Sequence, residues 1–206
     1  MKVVLAVGAH PDDIELGCSG TLARHKANGD KVFTLVLTKG EASGNVKVRE
    51  DECWKAAKLL KVDRLFFGGL EDTKVDDGRD TIDVIEKVVD EVKPDIIYAP
   101  SCKDTHQDHR NAGHAILSAG RRCKMILQYE GASTQRDFVP QVFVDIRSTF
   151  DLKKSAISVF GSQLNGKRGG YAIAARAVVG LAQYRGYQAG LDVAEAFEVG
   201  KFIFEV

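Results

Sequence analysis

Two histidine–aspartate clusters contain the residue types that hydrolytic chemistry needs. Ala9-His10-Pro11-Asp12-Asp13 follows the apolar run Val3-Val4-Leu5-Ala6-Val7, and His106-Gln107-Asp108-His109 follows Ile96-Ile97-Tyr98-Ala99. If each cluster opens a helix, residues three apart share a face. His10 and Asp13 then reach one ion. One of His106 and His109 can join them while the other faces a substrate. Two imidazoles and a carboxylate leave a divalent metal with an open position, where zinc brings the pKa of a water to about 7. Asp12 is free to take that water's proton, and Asp108, between the histidines, is placed to orient one of them. Each cluster alone would equally suit a plain role, the aspartates capping a helix and the histidines packing. Together, at two strand ends, they point to one metal centre.

Such clusters need a scaffold that brings two strand ends side by side. Strand patterns at Lys2–Val7, Val32–Leu37, Arg64–Phe67, Ile96–Ala99 and Met125–Tyr129 alternate with helix patterns at Ile14–Ala27, Val48–Leu60, Thr81–Val92 and Asp108–Ala119. Asn28-Gly29 and Pro94 stop two of the helices. The order predicts an α/β fold with a Rossmann-like, mostly parallel sheet and helices on both faces, a three-layer α/β/α arrangement. In such sheets the carboxyl ends of the strands form the ligand crevice. The tail is less regular. It reads as a strand at Gln141–Asp145, a helix at Thr149–Phe160 with Thr149 as N-cap, a loop at Asn165–Tyr171, a helix at Ala172–Leu181 and a last strand within Glu195–Phe204. One domain over residues 1–206 is the simplest organisation. The polar loops Gly68–Asp80, Gly131–Asp137 and Asn165–Gly170 are expected to shape the mouth of the site.

Composition narrows the function classes. The 206 residues carry 29 basic and 29 acidic side chains, so a nucleic-acid partner is not expected. No apolar run is long enough to cross a bilayer, and no targeting signal is evident, so the cytoplasm is the expected location. Cys18, Cys53, Cys102 and Cys123 form no C-x-x-C pair, which argues against a structural zinc ribbon and for reduced, packed thiols. Gly8 lies in no G-x-G-x-x-G run, and the serines lie in no G-x-S-x-G elbow. His25 and His114 fall inside helical patterns and are assigned to packing or surface.

The paired motifs, Ala-His-Pro-Asp-Asp after the first strand and Asp104-Thr105-His106-Gln107-Asp108-His109-Arg110 after the fourth, resemble the PIG-L/LmbE-like family. Tyr129-Glu130-Gly131, Phe143-Val144-Asp145-Ile146 and Ala194-Glu195-Ala196-Phe197 extend the resemblance over the chain. The family consists of metal-dependent de-N-acetylases acting on N-acetylglucosamine-type groups. The resemblance implies zinc held by His10, Asp13 and His109, with iron also acceptable to these donors. It implies Asp12 as general base, and His106 as the group that stabilises the oxyanion or protonates the leaving amine, held by Asp108. It matches Arg49 to a substrate-gripping arginine and Asp72 to a residue that binds sugar hydroxyls. Glu130, at a strand end, is placed to line the same site. A small amino-sugar substrate and a homo-oligomer, trimer or hexamer, are also implied. The rival readings are a metal hydrolase cutting another bond, such as a phosphoester, and a metal- or sugar-binding protein without turnover.

Overall fold

The computed structural model describes residues 1–164 and 170–204. The chain opens with strand β1 (Val3–Gly8), whose residues from Val4 onward are all buried. Such a strand, apolar on both faces, belongs at the centre of a sheet covered from both sides. Helix α1 (Asp13–Ala27), β2 (Lys31–Thr38), α2 (Val46–Leu59), β3 (Arg64–Leu70), α3 (Arg79–Val92), β4 (Ile96–Pro100), α4 (Gln107–Ala119) and β5 (Met125–Tyr129) follow in strict alternation. Then come β6 (Val142–Asp145), α5 (Phe150–Ser158), the short α6 (Gly161–Leu164), α7 (Gly170–Gln188) and β7 (Ala194–Phe202).

The described strands form one sheet in the order β3-β2-β1-β4-β5-β7-β6. The first five are parallel; β7 pairs antiparallel to β5 at the end, and β6 pairs antiparallel to β7. The chain moves outward from β1 to β3 and then returns to the other side of β1 with β4. The crevice therefore opens between the carboxyl ends of β1 and β4, the two strands that carry the histidine–aspartate clusters. The pleat divides the core: Leu5 and Val7 pack under α3 and α4 with Ile85, Val89 and Ile116, while Val4 and Ala6 pack under α1 and α2 with Ile14, Leu22 and Cys53.

Helix α1 is buried from Asp13 to Ala23, because α5 and α7 close over its outer face. Gly17 is required there: a Cβ would lie 2.2 Å from the Tyr129 ring, whose hydroxyl donates to the Val7 carbonyl at 2.9 Å. The tail departs from the sequence expectation in several places. Thr149 does not cap the helix after it. Its hydroxyl donates to the Gly20 carbonyl at 2.9 Å, a long-range tie that holds the side chain toward α1. The expected loop at Asn165–Tyr171 falls largely on 165–169, outside the described residues. The helix expected at Ala172–Leu181 runs longer, over Gly170–Gln188, since α1 and β7 pack against it. Among the described residues, no helix is long and apolar enough to cross a membrane.

Candidate metal centre and active site

At the end of β1 the chain turns sharply into α1. Asp12 sits at the turn with φ 109°, a left-handed backbone that costs a non-glycine residue about 1–3 kcal/mol. The turn aims His10 and Asp13 at one point, and the His10 amide donates to Asp13 Oδ2 at 2.8 Å. At the end of β4, Asp104 accepts the His106 amide at 2.8 Å, which sets the entry to α4 and aims His109 at the same point.

There, His10 Nδ1 lies 3.5 Å from Asp13 Oδ2 and 3.2 Å from His109 Nε2, and His109 Nε2 lies 3.1 Å from Asp13 Oδ1. Three tetrahedral ligands at about 2.0–2.1 Å from zinc would stand roughly 3.3 Å apart. The donor set fits a divalent ion. So does the charge: Asp12, Asp13, Asp72, Asp104 and Asp108 are all buried, and Arg49 is the buried guanidinium among them. Buried carboxylates in that excess need positive charge nearby, and the imidazoles take it up as protons. Burial opposes a proton on His10, but hydrogen bonds with Asp108, Asp13 and Asp72 raise its pKa to about 12. Burial likewise opposes the His109 proton, while the Asp13 charge and an Asp104 hydrogen bond raise it to about 10. Asp13 is held well below the carboxylate range in spite of its burial, by the His109 charge and the bonds to both imidazoles.

Two further groupings of described residues bring ligand atoms close together: His10–His106–His109 and His10–Asp72–Asp108. The second lies behind the ring, at His10 Nε2, which is 3.1 Å from Asp72 Oδ1 and 3.0 Å from Asp108 Oδ2. Asp108 is fully buried and its Oδ2 also accepts the Thr73 amide, so that side offers a reacting ion no open position. The Nδ1 side faces the cleft and does. The carboxylates behind the rings fit the partners that orient metal-ligating histidines: Asp72 and Asp108 on His10, and Asp104 at 3.4 Å from His109 Nδ1.

Two sequence expectations need correction. The sequence places Asp108 as the holder of His106; its carboxylate instead braces His10, and only its backbone amide reaches His106, donating to Nδ1 at 3.3 Å. The reason is helical geometry: from the first turn of α4 the Asp108 side chain points inward under His10. The sequence also places Glu130 in the lining of the site. It turns away into a bidentate pair with Arg185, at 2.6 and 2.7 Å, because strand alternation at the end of β5 sends it toward α7 while Tyr129 faces the cleft.

The remaining expected residues converge. The cleft, about 530 Å³, is lined by His10, Asp12, Asp13, Arg49, Asp72, His106 and His109. Arg49 reaches in from α2. It donates to the Pro11 carbonyl at 2.6 Å, lies 3.2 Å from Asp12 Oδ2 and donates to the Ser43 hydroxyl. Its grip is thus on the strained turn of Asp12. Asp72 stands in the wall with both oxygens engaged, one by His10 and the other accepting the Ala42 amide at 2.9 Å. Burial raises the Asp12 pKa to about 7, with the Arg49 charge acting against it. His106 is exposed, stacked on His109 at 4.5 Å. Its pKa is lowered by partial burial and by the His109 and His10 charges.

Sequence reading missed Asp104, Thr73, Glu15 and Ser133, whose hydroxyl lies 3.4 Å from His109 Nδ1. Asp104 was the most legible of these, two residues ahead of His106. Glu15 is buried beside the site, and burial raises its pKa to about 8. Nothing in its local sequence signals that. Cys102 stays outside the cleft and accepts from Gln128 Nε2.

Residues 5–120 match the PIG-L family, described as GlcNAc-PI de-N-acetylase. The uncharacterized deacetylase YaiS of Escherichia coli (strain K12) is 33% identical over 162 residues, 75% of this chain and 88% of that one. The diacetylchitobiose deacetylase of Thermococcus kodakarensis is 29% identical over 188 residues, 79% of this chain and 70% of its own length. Among solved structures, the conserved protein TT1542 from Thermus thermophilus superposes with a TM-score of 0.88 at 29% identity, covering 100% of this chain and 98% of that one.

Proposed function

Because this chain belongs to the PIG-L family, we propose that it is a metal-dependent hydrolase that removes the N-acetyl group from an N-acetylglucosamine-type sugar or glycoside. The observation that carries the reading is the convergence of His10 Nδ1, the two carboxylate oxygens of Asp13 and His109 Nε2, at 3.1 to 3.5 Å, beside a buried Asp12. Those three residues would hold the ion, zinc by preference, with iron also suited to the donors. When bound, the ion would polarise the acetyl carbonyl and acidify a water.

The chain's own groups account for the protons. Asp12 takes a proton from water as oxygen attacks the acetyl carbon, and a carboxyl with a pKa near 7 is matched to that transfer at neutral pH. Arg49 fixes the Asp12 carboxylate, so the base does not swing out of line. His106 accepts the Asp108 amide at Nδ1, which leaves its proton on Nε2. A neutral imidazole in that form donates a hydrogen bond to the oxygen that becomes negative. As the carbon–nitrogen bond breaks, the protonated Asp12 returns its proton to the departing amine, leaving acetate and a free amino sugar. Cytoplasmic placement and assembly as a trimer or hexamer are part of the same proposal, and light scattering on the purified chain reads the assembly.

The test is acetate release from N-acetylglucosamine and its glycosides, with metal content measured on the same sample. Asp12→Asn is expected to retain its metal and lose about 10²- to 10⁴-fold in turnover. Asp12 works deprotonated, so wild-type activity should rise with pH toward about 7, and a bound cation draws that limb lower. Full activity in Asp12→Asn, or turnover of p-nitrophenyl phosphate in place of acetate release, overturns the reading.

A further inference from the structure

Among the described residues, four non-glycine residues have positive φ: Asp12, Lys61, Thr73 and Lys93. Lys61 and Lys93 stand just past the ends of α2 and α3, where a left-handed residue is an ordinary helix stop. Asp12 and Thr73 end no helix, and both line the cleft. Asp12 is the candidate base. Thr73, at φ 71°, is β-branched, and a β-branched residue in this region is a true outlier.

The backbone of Thr73 is pinned in both directions. Its amide donates to Asp108 Oδ2 at 2.9 Å, and its carbonyl accepts from Gln107 Nε2 at 2.7 Å. Glycine at this position would make the same two bonds without steric strain. The side chain is therefore not explained by the loop it sits in. Thr73 is exposed on the cleft wall next to Asp72, and among the described residues its hydroxyl has no hydrogen-bond partner. We propose that Thr73 is a specificity residue whose hydroxyl hydrogen-bonds a hydroxyl group of the sugar seated against this wall. The proposal rests on the reading that the cleft takes a sugar.

The experiment uses the full metal-loaded chain carrying Asp12→Asn to prevent turnover, titrated calorimetrically with N-acetylglucosamine and diacetylchitobiose. Thr73→Gly is expected to raise Tm by a few degrees through released strain and to weaken sugar binding about five- to tenfold, the worth of one neutral hydrogen bond. Thr73→Val, which keeps the shape and removes the hydroxyl, should weaken it equally. Thr73→Ser should bind within about twofold of the parent. Parent-level affinity in Thr73→Gly or Thr73→Val overturns the proposal, as does a parent that binds neither sugar. Acetate release by wild type on the same sugars is read separately. Binding without release removes the deacetylation reading and leaves Thr73 in its role.

Discussion

Residue identity named the actors at the site, but neighbours assigned their parts. Asp12 and Asp13 are adjacent and chemically alike, yet burial drives the first up to about 7 and two imidazoles hold the second well below the carboxylate range. Glu15 shows the same rule outside the cleft. Its pKa rises from 4.5 to about 8 on folding because burial disfavours the charge. Between those values the folded chain binds more protons than the unfolded one, so stability falls as pH rises through that window. Glu15→Gln removes the titration. Compared metal-free at pH 5 and pH 9, it should gain several degrees of Tm on the parent at the higher pH. Equal melting differences at both values would show that Glu15 is not charged at a cost. The motif segments were legible at this scale because side chains three residues apart need only a helix start to converge. The bracing carboxylates were not, since Asp72 reaches His10 from the loop after β3, 62 residues along the chain.

At the scale of elements, the central problem is docking α1, which begins beside His10, Asp12 and Asp13 and is buried on nearly all sides. Lys153 of α5, 1% exposed, donates to the Glu15 and Leu16 carbonyls and pairs with Glu195 of β7 at 2.7 Å. Glu195 in turn accepts the Gly20 and Thr21 amides at 2.9 and 2.7 Å. These interactions tie the irregular tail to the helix that shapes the site. Lys153→Ala strands the Glu195 charge and should destabilise by about 3–5 kcal/mol in urea unfolding. Lys153→Met with Glu195→Leu should lose much less, because no charge is left buried. A single variant as stable as wild type would show that the brace is incidental. The first five strands are legible in the sequence since apolar runs between glycine and proline stops dictate them locally. The Thr149 side chain is not, because its hydroxyl is oriented by a carbonyl 129 residues away.

At the scale of the whole molecule, the net charge of zero conceals a local imbalance, with five buried carboxylates gathered around three imidazoles and one guanidinium. An ion that neutralises this cluster binds the folded chain alone and so stabilises it. Dialysis against a chelator at pH 7 should lower Tm, and added zinc should restore it in a concentration-dependent way. A Tm indifferent to both would mean that the cluster is satisfied by protons alone. The sheet order supports the site at this scale too, because the chain's return across β1 places β4 alongside it and opens the crevice between them.

The sequence by itself determined the alternating elements, the parallel core and the six residues of the two clusters, because periodicity and short spacings are local properties. It also carried the family resemblance, which lies in those same contiguous motifs. Tertiary structure alone decided which carboxylate braces which histidine, that Arg49 grips the Asp12 turn, that Glu130 pairs with Arg185 away from the cleft and that Thr73 holds a strained backbone in the wall. Each of these depends on side chains meeting across tens of residues, and on burial that disfavours a charge only once the surrounding elements have closed over it.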